Sequence, residues 1–118
     1  MVNILRQSEI TVLEFGERYS SLIEKKLSKD AQQIIGTVKS VGPPLVVFDL
    51  TQVQLIDSYF IRLLVRTWKL IKKRDGNIVL AGVNPECLKL LERLKIESLW
   101  ERFPTRRKAI NAMKNIEK

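Results

Sequence analysis

The chain contains no histidine. Imidazole is the commonest general base near neutral pH and the commonest metal ligand, so its absence removes Ser/His/Asp and Cys/His catalysis and weakens any metal-centred reading. Cys87 is the single cysteine, which excludes an internal disulfide; its place in PECLKLLERL reads as a small apolar residue on a packed helix face. Five Gly and four Pro are scattered along 118 residues, so no linker, low-complexity segment or glycine-rich phosphate loop stands out. Apolar runs are short, and MVNILRQSEI lacks the basic region, long apolar stretch and cleavage site of a signal peptide. These absences lead us to expect a cytoplasmic protein that is not an enzyme and needs neither metal nor cofactor.

What the chain has in excess is positive charge. Lys and Arg number 21 against 13 Asp and Glu, a formal net charge of +8, which favours acidic partners, nucleic acid or anionic membrane surfaces without choosing among them. A hydrophobic fraction of 45% over this length is enough for one buried core, and we read residues 1–118 as one domain.

Periodicity supplies the elements. Glu9 to Phe15 alternates imperfectly, as a half-buried strand would, and Val2 to Leu5 reads as another, with Gly16 permitting a turn. From Leu22 to Val41 apolar residues recur near 3.6, predicting a helix that Gly42, Pro43 and Pro44 stop. Leu45 to Leu50 is apolar except for Asp49, the pattern of a central strand covered on both faces, and a short extended stretch, Val53 to Ile56, follows. Ser58 to Arg74 predicts a helix with Phe60, Leu63, Leu64, Trp68, Leu70 and Ile71 on one side and Arg62, Arg66, Lys69 and Lys73 on the other. Asn77 to Val83 gives a further strand, parallel to the first through a right-handed helical crossover. Asn84, Pro85 and Glu86 then start a helix, and Thr105 caps a last one whose first turn, Arg106 to Lys108, opposes the helix dipole and favours fraying. Trp68, Trp100 and Phe103 read as core.

One corner of this β-α-β unit carries hydroxyl chemistry. Asp57 and Ser58 lie between a strand and a helix start, where either side chain can cap free amides, and where open α/β sheets usually place their sites. Ser58 falls on the basic side of its helix, Tyr59 at its border, and Arg62 and Arg66 follow at helical spacing. Asp49 ends the central strand. It either steadies the next turn through the Thr51 and Gln52 amides or lines the same corner.

The order VVFDLTQVQLIDS, a helix, then GNIVLAGVNPECLKLLERLKIESLW resembles the STAS domain, shared by anti-sigma factor antagonists and the cytoplasmic tails of sulfate transporters, most clearly over residues 45–100. The resemblance implies an α/β fold with a mixed, mostly parallel sheet of four to five strands and four helices. Its usual motif is Asp-Ser-Ser/Thr-Gly, matched by Asp57 and Ser58 and departed from at Tyr59 and Phe60. It also implies that Ser58 is phosphorylated by a partner kinase that doubles as an anti-sigma factor, with Asp57 and Ser58 at the contact and Asp49 supporting the corner; the helix spacing, not the resemblance, adds Tyr59, Arg62 and Arg66 as partner-contact candidates. The alternative is a non-phosphorylated scaffold subunit of a membrane transport or signalling complex, meeting the membrane only through that complex. Nucleic-acid binding ranks well below both, for want of a reading motif.

Overall fold

The computed structural model describes residues 3–7, 9–15, 21–22, 28, 30–40 and 45–116. In chain order the elements are β1 (Asn3–Gln7), β2 (Ile10–Glu14), β3 (Ser21–Leu22), α1 (Ala31–Ser40), β4 (Leu45–Asp49), β5 (Leu55–Ile56), α2 (Ser58–Lys73), β6 (Asn77–Ala81), α3 (Pro85–Arg93), a 3-10 turn (Glu97–Leu99), β7 (Glu101–Phe103) and α4 (Arg106–Ile116). The main sheet has the order β1-β2-β4-β6-β7 and is parallel except for β1. Among the described residues the expected mixed, mostly parallel sheet forms, with five strands where four to five were expected, and four helices accompany it.

Register explains the two-sided core. Val12, Val47 and Val79 pair across three strands and face Ala109, Ile110 and Met113 of α4. One residue on, Leu13, Phe48 and Leu80 pair and point the opposite way, to Ile34 and Val38 of α1, Phe60 and Leu64 of α2, and Leu91 of α3. Side chains alternate across a strand, so helices on both faces demand apolar residues at every position of the central strands. This corrects the half-buried reading of β2: Ile10 to Leu13 are wholly buried, and the one polar member, Thr11, accepts a hydrogen bond from Arg6 on β1.

Other boundaries move for local reasons. Of the helix expected from Leu22 to Val41, Ala31–Ser40 is helical, Leu22 instead forms with Ser21 a separate two-stranded parallel ladder with Leu55 and Ile56, and residues 23–27 and 29 lie outside the described residues. Thus β5 stays out of the main sheet, and the fifth strand is β7, too short to leave a periodic signal. Gly16, Val41 and the expected Gly42-Pro43-Pro44 stop lie outside the described residues, as does Val2. Strand β6 ends at Ala81 because Gly82 turns with a φ of +70°, where a Cβ would stand 2.4 Å from the Thr51 hydroxyl and 2.7 Å from its Cα.

Helix α2 is held at both ends. Asp75, in the left-handed region, and Gly76 close its last turn with bonds to the Lys72 and Ile71 carbonyls. The Arg74 backbone N–H caps α2 and its guanidinium donates to the Val38 and Lys39 carbonyls at 2.7 and 2.8 Å, so one residue ends α2 and satisfies free carbonyls of α1.

Candidate functional site

The chain reaches Ser58 through a loop fixed from two sides. The Leu50 amide donates to the Ala81 carbonyl at 2.8 Å, and the Val53 amide to the Leu50 carbonyl at 3.0 Å. Asn84 at the start of α3 then donates to the Val53 and Gln54 carbonyls while its own carbonyl caps the Cys87 amide. The sequence marked Asn84 as a cap only; its hold on the loop before Ser58 depends on a contact about 30 residues distant.

Of the two capping candidates, Asp57 does the work. Its carboxylate accepts from the Phe60 amide at 3.1 Å and its carbonyl from the Ile61 amide at 3.2 Å. Ser58 is the first residue of α2 and is exposed, its hydroxyl not engaged in the cap. Below the corner the Phe60 ring, fully buried, packs with Phe15 and Phe48 at centroid distances of 6.4 and 6.2 Å. The large residue at the motif position usual for Gly therefore anchors the first turn and does not stand on the surface.

Tyr59 is half-buried against the core, and the Arg62 guanidinium carbon lies 5.9 Å from its ring centroid, within cation-π range. Arg66, Lys69 and Lys73 continue the exposed row. The structure thus gathers Asp57, Ser58, Tyr59, Arg62 and Arg66 on the first turns of one helix.

Asp49 belongs to a different cluster. It is 4% exposed and accepts from the Thr51 amide at 3.1 Å and the Thr51 hydroxyl at 2.5 Å, which settles the turn role on Thr51; no bond from Gln52 accompanies it. Its second oxygen meets Arg106 Nε at 2.9 Å, and the same guanidinium pairs with Glu14. Glu14 and Asp49 are register partners on β2 and β4, so one cation from α4 bridges two carboxylates at the strand ends. Arg106 was expected to oppose the dipole of α4. It is instead drawn off by these acids, Thr105 caps the Lys108 amide at 3.2 Å, and the helix runs to Ile116. Two acids closing two apolar runs were the available signal for this cluster.

Cys87 is 1% exposed, and burial, then the neighbouring Glu86 charge, push its thiol above the ordinary value of 9.0, which fits a packing residue. Among the described residues no helix is long and apolar enough to cross a membrane, and no group of acidic or thiol side chains is placed to hold a metal ion.

The structure is similar to that of an anti-sigma-factor antagonist (STAS) domain protein from Planctomyces limnophilus, with a TM-score of 0.91 and 31% identity, covering 96% of this chain and 97% of that one. It is also similar to the Bacillus cell fate determinant SpoIIAA in its phosphorylated form, with a TM-score of 0.73 and 15% identity over 96% of this chain and 99% of that one. A sulfate transporter family protein from Wolinella succinogenes aligns with a TM-score of 0.78 and 16% identity over 97% and 93% of the two chains. At such identities the last two show a shared fold alone. No curated protein sequence matches. The STAS domain family model matches residues 3–109, and with that span and the Planctomyces likeness the chain belongs to the STAS domain family.

Proposed function

We propose that this chain is an anti-sigma factor antagonist, a bacterial cytoplasmic protein that acts by binding and not by catalysis. Its partner is an anti-sigma factor that is also a serine kinase, and Ser58 is the switch. The observation that carries this reading is the division of labour at the corner. Asp57 caps α2, which leaves the Ser58 hydroxyl exposed at the first helical position with a row of cations behind it.

In the proposed step Ser58 Oγ bonds to the γ-phosphorus of ATP held by the kinase. ADP leaves with the bridging oxygen, and the serine proton passes to the kinase base. The product carries about two negative charges at the N-terminus of a helix, where amide dipoles favour an anion. Arg62, one turn on, supplies a second partner for the phosphate once it leaves the Tyr59 ring. On the partner's side the same charge must be desolvated and placed against a surface selected for a neutral serine, which ends the complex.

The test is a parallel capture from native lysate with wild type, Ser58→Ala and Ser58→Asp. A kinase retained by the first two and lost from the third, and able with ATP to phosphorylate Ser58, supports the switch. Equal retention by all three baits transfers the reading to a non-phosphorylated scaffold subunit of a membrane transport or signalling complex, which the half-buried Tyr59 at a motif position usual for Ser or Thr favours.

A further inference from the structure

The row of cations on α2 has a use beyond receiving a phosphate. The helix sequence SYFIRLLVRTWKLIKK contains no Asp or Glu. Among the described residues no carboxylate pairs with Arg62, Arg66, Lys69 or Lys73, and all four are exposed. At about 100° per residue they form a ridge, with Ile61 and Val65 along one flank and Leu70 along the other. These seven residues, all on α2, border an open, shallow hollow of 480 Å³ on the surface, the groove between the ridge and its apolar flanks. From Arg62 to Lys73 the ridge is about 16 Å long at the α-helical rise, or three turns.

We propose that this groove docks an acidic amphipathic helix of a partner protein, about three turns long, whose carboxylates meet the ridge and whose apolar side chains fill the flanks. Charge complementarity selects an acidic occupant, because aligned cations without acids of their own repel one another until an anion covers them. The apolar flanks select protein over nucleic acid, since a phosphate backbone needs cations and has nothing to place against Val65 and Leu70. They also argue against a bilayer: Trp68, the aromatic that would anchor a membrane face, turns inward to pack edge-on against Trp100 at 6.2 Å. Ser58 lies one helical turn before Arg62, the first cation of the groove, so a phosphate there places negative charge just ahead of a site for a negative helix. This inference deepens the antagonist reading by naming the chemistry of its partner, and it gives the basic excess of the chain a function.

The experiment uses the full unmodified chain, isotope-labelled, and a stapled three-turn peptide with Glu along one face flanked by Leu, titrated by NMR near physiological salt. Amide shifts confined to residues 58–73 are expected. The double reversal Arg66→Glu/Lys69→Glu weakens binding by about tenfold or more, whereas the same reversal on α4, Arg107→Glu/Lys108→Glu, changes it less than about twofold. A Leu→Ser peptide of equal charge also binds about tenfold more weakly. Arg66→Gln/Lys69→Gln gives a second reading should the reversal disturb folding. Equal loss from both reversals would reduce the effect to net charge and overturn the proposal. So would shifts on α2 produced by phosphatidylglycerol vesicles or a single-stranded oligonucleotide but not by the peptide. Ser58 is untouched throughout, so failure here leaves the capture result standing, and failure of the capture leaves the groove.

Discussion

Asn84 Nδ2 lies 2.9 Å from the Val53 carbonyl oxygen, while Oδ1 of the same amide accepts from the Cys87 N–H at 2.8 Å. One side chain thus starts α3 and fixes the loop that delivers Ser58. Asn84→Asp separates the two roles: a carboxylate still caps the helix, but it has no donor for Val53 and Gln54 and faces their carbonyl dipoles. The expected loss is about 1–2 kcal/mol in urea unfolding, with faster hydrogen exchange at residues 53–56. Wild-type exchange in that loop would mean that Asn84 is a cap and nothing more.

Arg106 is the counter-ion of a carboxylate with almost no access to water. Arg106→Gln leaves Asp49 buried with only Thr51 to bond it and releases Glu14, and the expected cost is about 3 kcal/mol. Asp49→Asn in the same chain removes the stranded charge, so the double variant is expected to be more stable than the two single losses predict. Additive losses in a denaturant series would show that the pair is not coupled.

The elements that sequence displays best are those whose pattern is set by one long contact surface. The stripe of α2, the continuous apolar run of β4 and the Asn84-Pro85-Glu86 start of α3 each predict their own element. Ser58 on the basic face was legible for the same reason. What the pattern does not carry is pairing. Leu22 reads as the start of a helix although it pairs with Ile56, and β2 reads as half-buried although α4, about 100 residues away, covers its second face. Likewise Asp49 could be placed at a turn, but its partner Arg106 was visible only as a cation in an unfavourable helix turn. That apparent local conflict was the sign of a tertiary contact.

A second local conflict offers a stability test. Lys95 follows α3 with a φ of +60°, and its amide and that of Ile96 close the helix on the Glu92 and Leu91 carbonyls. A side chain in this region carries a steric cost that glycine avoids. Lys95→Gly is expected to stabilise the chain by about 0.5–1 kcal/mol, net of the greater backbone freedom of glycine when unfolded. Thermal unfolding at constant pH reads it directly. A lower melting temperature would show that the lysine stem contributes packing worth more than the strain.

Cys87 gives the alkaline end of stability. Burial, and then the Glu86 charge, raise its thiol above the ordinary 9.0, so the folded chain holds a proton that the unfolded chain releases first. Below pH 9.0 both states are protonated and the contribution is fully present. As pH rises through that value the unfolded state binds fewer protons than the native one, and stability falls by at most about 1.4 kcal/mol per pH unit until the folded thiol also ionises. Cys87→Ala removes this slope while leaving the titration of the lysines common to both chains, so the difference between the two stability curves isolates the thiol. Parallel curves from pH 8 to 10 in urea unfolding would show that Cys87 titrates alike in both states. A wild-type curve that drops away from that of Cys87→Ala, with Glu86→Gln delaying nothing and narrowing the window, would fix burial as the larger cause and the carboxylate as the smaller.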